Sequence, residues 1–386
     1  DFGHGLVLPE RDIFFVNLRK NVAKSGKKSY NKKWKICANF EGPMSTDIYL
    51  IRHGEAEGNL YRRALGITES RLTAQGVRQA EAAKERFSTI KIDKAYSSPL
   101  LRARRTGEIV CEGHGIPVIL RDDFREINLG VWENMQWGEI FERYPREYST
   151  FMTDADNWRV EMCETSVDAG RRFYSGVMDV ARENEGRTIA IFTHGAVIRA
   201  FLREVLRRMP GGSAVDVGHS DNTGVTLLRL TGDTPGITYM NDNSHLGELS
   251  NYKRHFALKE NVGFETNLHT REARPEDAAF LSGLGITQRG NGEVTYTALS
   301  GVEPAGALSL ADTGENLRIT EFALAEQFLG WDLGVQLIGT AVYIGRLEGK
   351  KRLEVQPRTA EARGYFEHYE FAESVKDGVL YLDLGI

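Results

Sequence analysis

Two histidines that close apolar runs are the residues in this chain best suited to chemistry. His53 ends Ile48-Tyr-Leu-Ile-Arg-His53, and His194 ends Thr188-Ile-Ala-Ile-Phe-Thr-His194. A neutral imidazole can attack phosphorus while an arginine beside it holds the anion. Arg52 precedes His53, and Arg102 lies in Ser97-Ser-Pro-Leu-Leu-Arg-Ala-Arg-Arg-Thr106. Arg52, His53, Arg102 and His194 together make an anion site whose charge suits a phosphoryl group. The leaving oxygen then needs a proton. Glu126, in Phe124-Arg-Glu-Ile-Asn-Leu-Gly-Val-Trp-Glu133, is the candidate donor, because a carboxyl beside phosphate is held protonated by like-charge repulsion. Taken singly, a strand-end histidine is more often structural and an arginine more often a solvated charge. The case rests on the set. Glu55 and Glu133 read as structural hydrogen-bond partners, Cys163 as a small packed residue, and His219 and His245 as ordinary polar positions.

These residues must be brought together by the elements around them. Ile48–Ile51, Lys94–Ser97 and Thr188–Thr193 are short apolar runs, as expected of buried parallel strands. A helix is expected over 73–87, capped by Thr73, with Val77, Ala80, Ala83 and Phe87 at helical spacing. A second is expected over 99–111, with Ser98 as cap and Pro99 at its first position, which puts Arg102 in the first turn. A third is expected over 195–208, directly after His194. Alternating strands and helices predict an α/β layered fold with a mostly parallel sheet, whose ligands gather at the strands' carboxyl ends. The two histidines, 141 positions apart, can therefore face one pocket.

At 386 residues the chain is long enough for two domains. A net charge of −5 gives no case for nucleic-acid or membrane binding, and no apolar run reaches spanning length. Cys37, Cys111 and Cys163 are far apart and read as free thiols in a reducing, cytoplasmic setting. Residues 19–35 carry Arg19, Lys20, Lys24, Lys27, Lys28, Lys32, Lys33 and Lys35 and no acid. Met44 is expected to be the true start, with residues 1–43 an upstream remnant or a disordered basic leader. The folded body is expected over 44–249, a polar connector over 250–268, and a second unit over 269–386. Strands in that unit are expected near 293–299, 305–311, 316–325, 351–356 and 379–384, with helices over 275–283, 333–345 and 358–368.

The segments Arg52-His-Gly-Glu55, Leu72-Thr-Ala-Gln-Gly76, Ser97–Thr106, Phe124–Glu133 and Thr193-His-Gly195 resemble the histidine phosphatase superfamily, and occur in its order. The resemblance implies a phosphoglycerate-mutase-like three-layer α/β/α domain without a metal. It implies phosphorylation of His53, a phosphoryl group held by Arg52, Arg102 and His194, Glu126 as proton donor, and Asn59 in contact with phosphate or substrate. A small phosphorylated metabolite would be the substrate. Where the family often has Gly-Glu-Ser this chain has Cys163-Glu164-Thr165, and where Trp-Glu-Gly is common it has Trp132-Glu133-Asn134. The short segment 127–187 favours a phosphatase over a phosphoglycerate or sugar-phosphate mutase.

Residues 270–386 resemble the GCN5-related N-acetyltransferase (GNAT) superfamily, an α+β fold. The resemblance rests on Arg271-Glu-Ala-Arg-Pro-Glu-Asp277 and on Glu321-Phe-Ala-Leu-Ala-Glu-Gln-Phe-Leu-Gly-Trp-Asp-Leu-Gly334 followed by a helix. It implies an acetyl-CoA site with backbone contacts at Phe322, Ala323 and Leu324 and a diphosphate loop at Gly330, Trp331, Leu333, Gly334 and Val335, serving an amine acceptor. Leu329 stands where the family has Arg or Gln, Asp332 where it has Gly, Phe366 where a tyrosine often donates the proton, and Glu370 where a glycine closes the motif. Acetyl transfer and a degenerate, non-catalytic module are both compatible with these departures.

Overall fold

In a computed structural model of the chain, residues 45–209, 215–251, 263–287, 292–375 and 378–385 are described. The basic leader, Met44 and Cys37 lie outside them. The first sheet is built from β1 (Ser45–Arg52), β2 (Lys94–Ser97), β3 (Val118–Leu120), β4 (Thr188–Thr193), β5 (Val225–Thr231) and β6 (Thr234–Asp242). Its order is β3-β2-β4-β1-β5-β6, parallel from β3 to β1, with β5 and β6 antiparallel at one side. The helices of this half are α1 (Glu57–Leu60), α2 (Ala74–Phe87), α3 (Leu101–Glu112), α4 (Trp137–Arg143), α5 (Pro145–Thr153), α6 (Ser166–Glu183) and α7 (Gly195–Arg207).

Successive side chains of a strand point to opposite faces, so β1 feeds two cores. Ile48 and Leu50 pack with Phe124, Trp132, Phe173 and Phe201 on the α6 and α7 side. Ile51, with Tyr49 against it, packs with Ala83, Phe87, Val110 and Phe192 on the α2 and α3 side. Both faces of the sheet are thus covered by helices, which is the expected three-layer α/β/α arrangement.

Thr73 caps α2 as expected, accepting from the Gly76 amide at 3.0 Å. The start of α3 differs. Its cap position is Leu100, and the helix begins at Leu101. Ser98 does not cap it, because Leu100 is extended and the helix starts only after it; the Ser98 hydroxyl accepts from the Leu100 amide at 3.2 Å and meets His194 Nε2 at 2.8 Å. Arg102 remains in the first turn.

The second sheet comprises β7 (Leu268–Glu272), β8 (Glu293–Ser300), β9 (Glu303–Asp312), β10 (Asn316–Leu324), β11 (Arg352–Val355), β12 (Ala372–Glu373) and β13 (Leu380–Asp383). Its order is β12-β13-β11-β10-β9-β8-β7, with β10 and β11 the parallel pair. The helices are α8 (Ala278–Gly283), α9 (Gly334–Leu347) and α10 (Ala360–His368). These match the expected elements to within a few residues. Among the connector residues, Asn251, Thr266 and Asn267 are buried, and the two sheets belong to one compact body. No helix of the described residues is long and apolar enough to cross a membrane.

Candidate active site

Three neighbouring parallel strands deliver the chemistry. β2, β4 and β1 end at Ser97, Thr193 and Arg52, and the next residues are Ser98, His194 and His53. The register pairs Arg52 with Thr193 and Ser97 with Phe192, so the two histidines leave the sheet side by side. Their ring centroids are 5.2 Å apart, and both side chains are buried.

His53 Nδ1 donates to the Gly54 carbonyl at 2.6 Å, which fixes the proton on Nδ1 and leaves Nε2 with its lone pair. Burial, then the charges of Arg102 and Arg52, hold the His53 pKa well below the usual histidine range, so the ring is neutral at neutral pH. Gly54 allows a close approach: a Cβ there would stand 2.5 Å from the Gly76 carbonyl oxygen. This explains why Leu72-Thr-Ala-Gln-Gly76 accompanies the nucleophile segment.

Arg102 is fully buried and donates to the carbonyls of Gly66 (2.7 Å) and Thr68 (2.8 Å). Burial lowers its pKa to about 10, so it stays cationic at neutral pH. The loop offering those carbonyls is gathered by Glu133, whose carboxylate accepts from the amides of Gly66, Ile67, Thr68 and Leu129 and from the Thr68 hydroxyl. Arg52 donates Nη1 to the Ser220 carbonyl at 2.5 Å. Among the described residues, Arg52 Nε, Arg102 Nε and His194 Nδ1 are buried without a hydrogen-bond partner. Other buried nitrogens, such as Arg63 Nε and Trp132 Nε1, are unpaired too, but here the Arg52 and Arg102 charges act together on His53 and His194, which marks where an anion belongs.

Glu126 caps α7 from outside, accepting from Ala196 (3.1 Å) and Val197 (2.8 Å) as well as from Ile127 (3.0 Å). Its pKa is raised, chiefly by burial and against the pull of those amides and Arg102. Like-charge repulsion from phosphate is thus not required to push it up. Asn59 Oδ1 accepts from the Ala56 amide (3.0 Å) and from Asn222 Nδ2 (3.4 Å), so its Nδ2 is the group it can offer a ligand.

A profile of the histidine phosphatase superfamily (branch 1) matches residues 48–243. The chain belongs to that superfamily. It is 35% identical over 160 residues to the uncharacterized phosphatase PhoE of Bacillus subtilis, covering 42% of this chain and 77% of that protein. It is 28% identical over 227 residues to a metal-independent phosphoserine phosphatase of Arabidopsis thaliana, covering 58% and 92%. It is 28% identical over 159 residues to a probable phosphoglycerate mutase of Escherichia fergusonii, covering 41% and 74%. The family and these phosphatase relatives make the chain a hydrolase.

Several residues that support this histidine phosphatase site carried no signal in the sequence. Asn222 donates to the His53 carbonyl at 3.1 Å and accepts from Asn251, which also donates to Glu55 at 2.7 Å. Arg172 donates to the carbonyls of Asp123, Arg125 and Glu126 and pairs with Glu164 at 2.8 Å, so the Cys163-Glu164-Thr165 departure keeps the carboxylate that orders the Glu126 segment. Asn134 has φ 60°, a backbone region that asparagine tolerates better than most residues, so it can stand where the family has glycine. Arg199 lies one turn along α7 from Gly195, whose Cβ would stand 3.1 Å from Arg52 Nε; it contacts His219, the residue before Ser220. Arg199 thus extends the positive wall beyond Arg52, with its Nη1 donating to the His219 ring. Among the described residues, no group of three His, Cys, Asp or Glu side chains could hold a metal ion.

The expected acetyl-CoA residues are placed on β10 (Phe322, Ala323, Leu324) and on the turn into α9 (Gly330, Trp331, Leu333, Gly334, Val335). They do not fit a diphosphate. Loop 325–333 carries Glu326 and Asp332 and no basic residue. Asp332 has φ 59° and accepts from the Tyr369 hydroxyl. A Cβ at Gly334 would stand 2.4 Å from the Tyr365 hydroxyl, so that phenol covers the start of α9. A diphosphate would have to displace Tyr365 and lie beside a carboxylate.

Proposed function

We propose that the chain hydrolyses phosphomonoesters of small metabolites through a phosphohistidine at His53, with no metal. The observation that carries this reading is a neutral His53 with its Nδ1 proton held by the Gly54 carbonyl, under the charges of Arg102 and Arg52 and 5.2 Å from the His194 ring. In this scheme Arg52, Arg102, His194 and Asn59 hold the phosphoryl oxygens, and His53 Nε2 attacks phosphorus in line. The P–O ester bond breaks as the N–P bond forms, and Glu126 gives its proton to the leaving oxygen. A water then attacks phosphorus, Glu126 takes its proton, and the N–P bond breaks to release inorganic phosphate. Burial serves both steps: it keeps His53 neutral for attack, and raises Glu126 towards the protonated form.

The Arg199 guanidinium, near Arg52, supports a substrate that carries a second acidic group, such as a carboxylate. The phosphoserine phosphatases among the relatives fit the same class. The phosphoglycerate mutase relatives keep a second reading open, in which the phosphoryl group passes to another hydroxyl. For the C-terminal half we favour the non-catalytic form of a GNAT-like fold, since its loop does not suit acetyl-CoA.

The test is release of phosphate from a phosphomonoester panel, with His53→Ala as the paired control, together with trapping of an acid-labile phosphoenzyme. Turnover unchanged in His53→Ala defeats the mechanism. A phosphoenzyme that discharges only to an acceptor hydroxyl, and not to water, selects the mutase.

A further inference from the structure

α1 is a single turn, too short to hold itself in water, and it carries Asn59 only six residues from the nucleophile. Its apolar side is not packed in the phosphatase core. Tyr61 is buried in the core of the C-terminal half, with Leu60 against it. The approach depends on Gly339 of α9, where a Cβ would stand 2.4 Å from the Tyr61 Cβ. Glu57, also buried, is gripped by both Nη atoms of Arg346 at 2.9 Å and by Arg71 at 3.0 Å. Arg346 and Arg71 in turn donate to the Leu384 and Asp383 carbonyls.

A second contact has the same sense. Glu370 sits at φ 69°, a strained backbone for a residue other than glycine. Its carboxylate accepts from the Ala74 amide at 2.6 Å, in the first turn of α2. The side chain that replaces the expected glycine therefore reaches across to the phosphatase half, next to Thr73, whose hydroxyl donates to Glu55.

We infer that the C-terminal half is a clamp for the phosphatase site: α9 and the 369–370 turn hold segment 55–74, and through α1 they set the position of Asn59. Arg346 is a positioning residue that acts through Asn59 and touches no substrate. The inference rests on the hydrolase reading above.

The experiment is a double-mutant cycle in the full chain, reading kcat and KM for a phosphomonoester that the panel identifies. Arg346→Met and Asn59→Ala are each expected to lower kcat/KM about tenfold, mostly through KM, and the double variant is expected to fall no further than either one. A multiplicative loss in the double variant, or an Arg346→Met that folds and stays within about twofold of the parent, overturns the inference. If Arg346→Met does not fold, Glu370→Gly decides. It relieves the backbone strain, so the thermal midpoint is expected to hold, while kcat/KM falls at least about threefold; unchanged kinetics overturn the clamp. Loss of activity in His53→Ala, with both clamp variants unaffected, separates failure of this inference from failure of the hydrolase reading.

Discussion

Glu133→Gln tests how the Arg102 charge is held in place, with a change that keeps shape and alters only acceptor capacity. One carboxylate oxygen of Glu133 serves the Ile67 and Leu129 amides, and the other serves the Gly66 and Thr68 amides and the Thr68 hydroxyl. Whichever way the glutamine amide turns, its NH2 group faces at least two donors. A buried donor without an acceptor costs about 1–3 kcal/mol, and Ile67 and Thr68 are not fully buried, so about 2–4 kcal/mol is the expected penalty on this loop arrangement. The loop relieves it by moving, and its Gly66 and Thr68 carbonyls carry Arg102 with them. Losing one charge-assisted hydrogen bond to phosphate costs about 1.5–3 kcal/mol. That corresponds to a fall in kcat/KM of roughly 10- to 100-fold. The assay is steady-state hydrolysis together with the inhibition constant for inorganic phosphate, with far-UV circular dichroism to establish that the variant is folded. A folded Glu133→Gln within about threefold of the parent in both constants would refute the reasoning.

Other outcomes follow from the same geometry. His53, His194 and His245 all have folded pKa values below the unfolded value, His245 at about 4, so the native state resists a proton that the unfolded chain takes up below pH 6.5. Their stabilisation is full above that pH and is lost as pH falls. The unfolding free energy from urea titrations should therefore fall from pH 7 to 5.5 by about 1 kcal/mol per histidine; a flat profile contradicts neutral burial. For the same reason kcat/KM should show no acid limb at the ordinary histidine pKa of about 6.5, and a limb there would mean that His53 is solvated. Arg199→Met should raise KM several-fold for phosphomonoesters bearing a carboxylate and little for uncharged ones; an equal effect on both would remove the second acidic group from the substrate description. Calorimetry with acetyl-CoA should show no heat for the parent chain, and a clear isotherm would overturn the account of loop 325–333.

The reaction class was legible in the sequence because it depends on residue types in a fixed order. Strand-end runs are marked by apolar side chains, and Arg52, His53, Arg102, Glu126 and His194 follow from the motifs that flank them. The sequence also specified two sheets and most of their helices, since strand and helix periodicities are local signals. Long-range pairing was decided by the tertiary structure. The Arg52–Thr193 register sets the two histidines side by side, with their ring centroids 5.2 Å apart. Asn222, Asn251 and Arg172 are ordinary residue types, and they matter only because folding brings them within hydrogen-bond reach of His53, Glu55 and the Glu126 segment. Ser98-Pro99 reads as a helix start, because capping is judged from neighbours, whereas in the fold Leu100 stays extended and the Ser98 hydroxyl meets His194, 96 residues away. The same limit applied to the C-terminal half. Its pattern announced a fold, but the phenols of Tyr365 and Tyr369 at the α9 turn, and the reach of Arg346 and Glu370 to the phosphatase half, are contacts between distant segments that no local spacing encodes.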